Sequence, residues 1–108
     1  MMNITRGEPF TVEISLDVDR EALESLELIV MQRGKLILQK NLEDAMFDAD
    51  EKHAFITLDG EETAQFRAGV PAYAQSRATL VGGERLHSEV EEINLTDLLG
   101  ERKVRAWS

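Results

Sequence analysis

Catalysis requires a nucleophile, a proton carrier or a set of metal ligands at a workable spacing, and this sequence offers little of any. It has no cysteine, which removes the thiolate nucleophile, the zinc–thiolate site and the disulfide framework together. Its two histidines, His53 and His87, have neither a Cys nor a second His at a ligand spacing, so both read as solvated surface residues. Asp17 with Asp19, and Asp48 with Asp50, show the every-second-residue carboxylates of a calcium loop. Both lack the turn glycine and closing glutamate that complete such a loop, so loop solubility accounts for them. Ser15, Ser25, Ser76 and Ser88 include no Gly-x-Ser-x-Gly elbow. Gly82-Gly83 runs into Glu84 and a strand rather than into the lysine and helix start of a phosphate cradle. The acidic pairs Glu61-Glu62 and Glu91-Glu92 read as solvated faces. The expectation is a protein that is not an enzyme, with no catalytic residue, no cofactor and no metal.

Other residues are unusual in a way that suits contact rather than chemistry. Phe55 is apolar on a strand face that alternation gives to water, and Tyr73 is an aromatic on a later strand. The lone Trp107 stands among Arg102, Lys103 and Arg105 near the end of the chain. An exposed aromatic costs solubility, and aromatics and arginine are enriched at the centres of protein interfaces. Phe55, Tyr73, Arg102, Lys103, Arg105 and Trp107 are therefore the candidate interface residues, Phe55 foremost among them.

Behind these residues lies a succession of short strands. Phe10 to Val18 alternates apolar and polar without a fault, the signature of a strand with one buried face. Met2 to Thr5 reads as a short strand before it, with Arg6-Gly7-Glu8-Pro9 as the turn between them. Residues 19 to 33 fit either a helical face behind Asp19 or an alternating strand. A loop to Ser25 and a strand from Leu26 to Gln32 is preferred, because Arg33-Gly34 can form a two-residue turn into a second strand, Lys35 to Lys40. Ala45 to Asp48 and His53 to Leu58 read as further strands. Asp59 and Glu62 have capping-box spacing for one or two helical turns ended by Gly69, from which Phe66 drops into the core. Ala72 to Val81 and Glu84 to Asn94 form a hairpin about Gly82-Gly83, with positive φ expected at both glycines.

Turn signals every ten or so residues favour a sandwich over a parallel sheet. The fold expected is an all-β, antiparallel, immunoglobulin-like sandwich of about seven strands with one short helical turn. Its core would hold Phe10, Val12, Ile14, Leu16, Val30, Leu38, Ile56, Phe66 and Leu80. The 108 residues suffice for one core, giving a domain over 1–99 and a basic tail over 100–108. Leu95 to Ser108 is the only segment able to lie outside the domain. The net charge of −9 disfavours nucleic acid and anionic membranes as partners, whereas the last nine residues carry a net +2. No apolar run approaches the ~18 residues of a membrane span and no signal peptide opens the chain, so cytoplasmic synthesis is expected. Without a signal peptide, the sequons at Asn3-Ile4-Thr5 and Asn94-Leu95-Thr96 are coincidental.

The run Asn3-Ile4-Thr5-Arg6-Gly7-Glu8-Pro9-Phe10-Thr11 resembles the strand, Arg-Gly-acid turn and second strand that open the immunoglobulin-like N-terminal domain of phage baseplate upper proteins. Leu58 to Phe66 resembles that family's strand into a Glu-Glu-Thr helical turn, and Gln75-Ser76-Arg77 with Gly82-Gly83 falls where its last two long strands would be. The family's usual Leu-Thr-Gly-Ala step before the third strand is replaced by Ser25-Leu26. The resemblance implies a small prophage-encoded sandwich, a structural part of a tail or baseplate that contacts other phage structural proteins or copies of itself, with the virion as one destination. The alternative is a ligand-binding or adhesion sandwich, for carbohydrate or a cell surface, for which a concave aromatic patch around Phe55 and Tyr73 would be the sign.

Overall fold

The computed structural model describes residues 2–16, 18–49 and 52–97. Among them are nine strands: β1 (Met2–Arg6), β2 (Phe10–Ser15), β3 (Leu23–Gln32), β4 (Lys35–Asn41), β5 (Ala45–Phe47), β6 (His53–Leu58), β7 (Ala72–Leu80), β8 (Arg85–His87) and β9 (Glu91–Asp97). A single helical turn, α1 (Gly60–Thr63), separates β6 from β7. One sheet has the order β1-β9-β7-β3-β4 with β8 beside β7, and the other has the order β2-β6-β5. The chain is an all-β sandwich of two sheets.

The alternation in the strand sequences decides which side of each sheet faces inward. Val12 and Ile14 of β2, and Ala54, Ile56 and Leu58 of β6, are buried from the small sheet. Ile4, Leu26, Leu28, Val30, Leu38, Ile93 and Leu95 are buried from the large one, with Phe66 dropping in from the segment after α1. Of the expected core, Phe10, Leu16 and Leu80 are only partly buried and pack against its margin.

Strands β2, β5 and β6 form one sheet and β3, β4, β7 and β9 run side by side in the other, which matches the variable-type immunoglobulin arrangement in which strand C′ joins the G-F-C sheet. All ladders are antiparallel except one: β1 runs parallel to β9, with Met2 opposite Ile93 and Arg6 opposite Asp97. In the general scheme the first strand lies beside B. Here it lies beside β9, and no described strand pairs with the second edge of β2, the counterpart of B.

Several boundaries differ from expectation for local reasons. The helix competing for residues 19–33 is reduced to a 3₁₀ turn at Arg20–Ala22, and β3 starts at Leu23 rather than Leu26. Glu24 is an extra residue in the β3–β7 ladder, which passes from Leu23↔Leu80 to Ser25↔Thr79. That bulge interrupts the alternation and conceals the strand's beginning. β2 stops at Ser15, short of Val18. The β3–β4 turn has φ of 55° at Arg33 and 75° at Gly34, the double left-handed geometry of a two-residue hairpin. The β7–β8 turn needs positive φ at Gly83 alone. The return strand is broken in two, because the Ser88 hydroxyl accepts a hydrogen bond from Ser76 N at 3.0 Å in place of a backbone carbonyl. β9 runs on to Asp97 rather than ending at Asn94, and Leu95, 2% exposed, belongs to the core.

α1 closes one rim. Asp59 Oδ1 accepts from Glu62 N at 2.8 Å and Glu62 Oε1 accepts from Asp59 N at 3.0 Å, completing the capping box. The buried Thr63 hydroxyl accepts from Gly7 N at 3.0 Å and donates to Glu8 O at 2.8 Å, tying α1 to the β1–β2 turn. Arg6 donates to the carbonyls of Phe66 and Ala64 and pairs with Asp97 at 2.5 Å. Gln32, 3% exposed, donates to Arg67 O at 2.9 Å and Val70 O at 2.8 Å and accepts from Arg67 N at 2.9 Å. Each contact satisfies a group that burial would otherwise leave costly.

Candidate functional surfaces

The residue types that could support chemistry meet at one place, on the outer face of the small sheet. Ser15 and His53 are opposite each other in the β2–β6 register. His53 Nδ1 lies 3.0 Å from Asp48 Oδ2 and its Nε2 lies 4.0 Å from Glu13 Oε1. A Ser–His–Asp triad needs the second ring nitrogen within about 3 Å of the hydroxyl, with amide donors aimed beside it. Here that nitrogen is directed at a second carboxylate, on an exposed strand face. The arrangement is an imidazole among acids. No group of three or more His, Cys, Asp or Glu residues able to hold a metal occurs among the described residues. Asp17 and Asp50 of the two aspartate pairs lie outside them, and Arg102, Lys103, Arg105 and Trp107 of the interface set do so as well.

Phe55 and Tyr73 belong to different sheets. Phe55 sits between Glu13 of β2 and Met46 of β5 on the outer face of the small sheet, where it is half-buried. Tyr73 sits between Met31 of β3 and Glu92 of β9 on the outer face of the large one. The inward neighbours of each, Ala54 and Ile56, and Ala72 and Ala74, are buried between the sheets. The two aromatics therefore point away from each other, on opposite sides of the molecule, and form no common patch.

What Tyr73 does join is a cross-strand row that the alternation argument overlooked. Tyr73 on β7 is opposite Met31 on β3, which is opposite Leu36 on β4. The three are 44%, 38% and 55% exposed, so apolar side chains on three adjacent strands line up on one solvent-facing surface. A bulge creates the row: Ile37 is an extra residue between Leu38↔Val30 and Leu36↔Met31, and it keeps Leu36 on the outer side beside Met31. The sequence carried a signal for this surface, since Leu28-Ile29-Val30-Met31 and Leu36-Ile37-Leu38 are apolar at successive positions. A strand apolar on both sides has an apolar outer face.

A second feature is a hollow of ≈ 350 Å³ between the sheets, along the edge of β2 that faces no described strand. Val12, Ile14, Leu28 and Ala74 form its apolar lining, and Glu13, Glu89 and Glu91 are acidic groups around it. It adjoins a smaller hollow of ≈ 200 Å³ that shares Ile14, Ser15, Ser76 and Ser88 and extends to Leu86. The space arises because β7 turns only small residues inward here: Ala72, Ala74, Ser76 and Ala78.

No protein-family description matches this chain, and no curated protein sequence matches it. Among solved structures, the V domain of amphioxus IgVJ-C2 aligns over 88% of this chain and 99% of its own length, with 11% identity and a TM-score of 0.34. The sandwich assignment rests on the sheets themselves.

Proposed function

We propose that this chain is a non-catalytic interaction module that packs against copies of itself or other structural proteins, as a component of a prophage tail or baseplate assembly. The observation that carries the reading is the Tyr73–Met31–Leu36 row: aligned, exposed apolar side chains on a domain whose sequence is otherwise strongly acidic. Such a surface gains free energy when another protein covers it. Phe55 with Met46, which is 76% exposed, supplies a smaller second surface on the opposite side. The phage context rests on the sequence resemblance. The net charge of −9 opposes nucleic acid and anionic lipid as partners. A carbohydrate-binding or adhesive sandwich is less well supported, because Phe55 and Tyr73 lie on opposite faces and cannot together line a concave sugar site.

The test is light scattering coupled to gel filtration of the full chain and of Met31→Asp/Leu36→Asp, together with co-purification from lysates of the host carrying the prophage. Both side chains are exposed, so the variant should fold. The reading expects self-association or tail-particle association in the wild type and its loss in the variant. A wild type that stays monomeric and never accompanies tail particles would sink it.

A further inference from the structure

We infer that the outer face of the large sheet packs against the same face of a second copy, about a two-fold axis running along the strands between β3 and β7, so that Arg77 of each copy meets Glu27 of the other. This names the partner of the Tyr73–Met31–Leu36 surface and so rests on the interaction-module reading above. The ladders lay the face out in level rows. One row along from Met31, Ile29 of β3 is opposite Gln75 of β7 and Gln39 of β4, and one row further Glu27 is opposite Arg77. Alternation turns all of them away from the core, because Leu26, Leu28 and Val30, which intervene on β3, are buried.

Charge selects a second copy as the partner. The protein carries a net −9, and an acidic face on it would call for a basic protein. Over these three rows, however, β3, β4 and β7 turn outward one acid and one base, Glu27 and Arg77, with apolar, aromatic or amide side chains at the other positions. A neutral face that holds both halves of an ion pair lets two acidic molecules approach and is complementary to itself. Its size also suits a dimer. β9, β7, β3 and β4 lie side by side at about 4.8 Å and the ten residues of β3 extend about 33 Å, a footprint of roughly 600 Å². Standard interfaces take about 600–1,000 Å² from each partner.

The rows then choose the symmetry. A two-fold axis across the strands through Ile29 would set Met31 over Glu27 and Leu36 over Asn41 of the second copy, burying apolar groups against polar ones. The axis along the strands instead keeps the rows level and exchanges β3 with β7. It sets Tyr73 over Met31, Gln75 over Ile29 and Arg77 over Glu27, each contact made twice because the interface is isologous. A thioether against an aromatic ring is a favourable contact. The Glu27 carboxylate is already oriented, since its Oε2 accepts from Gln39 Nε2 at 2.8 Å, which leaves Oε1 for the guanidinium of the second copy. Facing sheets are turned by about 30° relative to each other, and the length of the arginine side chain spans the offset this introduces. At the margin, Glu92 comes over β4 of the second copy, next to its exposed Lys35. A two-fold contact closes on itself, so the product is a dimer and not a filament.

The experiment places Glu27→Arg and Arg77→Glu in separate full chains. Light scattering across a dilution series is recorded for the wild type, for each charge variant alone, for their equimolar mixture and for Met31→Asp/Leu36→Asp. The wild type is expected to dimerise. Each charge variant sets like charges against each other and should raise the dissociation constant about tenfold or more, whereas in the mixture every introduced charge meets its opposite on the other chain and the dimer should return. Mixing cannot restore a Glu27–Arg77 contact confined to one chain. Circular dichroism melting confirms that each variant is folded, and one that is not gives way to Glu27→Gln or Arg77→Gln, expected to weaken the dimer about threefold. Association that ignores the charge variants, or a mixture no stronger than its components, would overturn this arrangement and leave the interaction-module reading standing. A wild type that is monomeric at every concentration would overturn the second copy as partner, and co-purification with tail particles then decides the reading above separately.

Discussion

At the α1 rim of the sandwich, Arg6, Gln32 and Thr63 hold their hydrogen-bond partners at fixed distances, and a capping box locks the turn that carries them. At the β2 rim, Val12 and Ile14 border a hollow, and the second edge of their strand faces no described strand. The difference separates two uses of polar groups. Where the chain must seal its own core, it pairs each buried donor internally, since an unpaired one costs about 1–3 kcal/mol. Where backbone groups face no described strand, the same physics leaves them to water or to another partner.

The largest expected effect is a buried charge, and its size should depend on the rim. Ile56→Asp places a carboxylate at a fully buried position of the central strand β6 and should cost about 4 kcal/mol or abolish folding. Ile14→Asp should cost less, about 2–3 kcal/mol, because Ile14 is 8% exposed and borders a hollow through which water can solvate the charge. Urea unfolding of both variants measures the gap. Equal losses would mean that the β2 rim is as closed as the core.

Next in size, Gln32→Leu keeps the volume but strips the partners from Arg67 N, Arg67 O and Val70 O, and should lower stability by about 2–3 kcal/mol. Gly60→Ala follows. A Cβ at that position would meet the Gly7 carbonyl oxygen at 2.6 Å, a backbone atom fixed by the same network. A loss of about 1–2 kcal/mol is expected, against a near-neutral result if the two turns are free to move apart. Thermal melts followed by circular dichroism resolve either outcome.

The two rims were unequally legible in the sequence. Local patterns carried elements of both: Val12 and Ile14 alternate at the β2 rim, while at the α1 rim Asp59 and Glu62 stand at capping-box spacing and Phe66 falls where the turn can drop it inward. Gln32 gave no such signal, because its partners at Arg67 and Val70 lie across the sequence and no periodicity relates them. β1 was read as a strand, but its parallel pairing with β9 joins chain ends 91 residues apart. That β1 leaves the second edge of β2 without a described partner follows from that pairing, so it was invisible until the topology was known. The Tyr73–Met31–Leu36 row lay between these cases. Its apolar residues were plain, but assigning them to the outer face needed the bulge at Ile37.

The smallest expected effect belongs to the ion pair that joins α1 to the edge of the large sheet. Lys40 Nζ lies 2.6 Å from Glu62 Oε2, with both side chains about one-fifth exposed. The hydrogen bond to Glu62 raises the Lys40 pKa above its ordinary value of 10.5, desolvation opposes it, and the Glu62, Asp44 and Asp59 charges add to the rise. A pair this close to water contributes about 0.5 kcal/mol and is screened by salt, so Lys40→Met should cost no more than that at neutral pH. The sign of its pH dependence is fixed. A lysine whose pKa is higher folded than unfolded stabilises the fold fully below its unfolded value of about 10.4, and that contribution disappears as pH rises through the folded value. The stability difference between wild type and Lys40→Met should therefore be flat through neutral pH and vanish only in strong alkali. A difference that grows with alkali would contradict the raised pKa, and one of about 2 kcal/mol at pH 7 would show that Lys40 seals the α1 rim as firmly as Gln32 does.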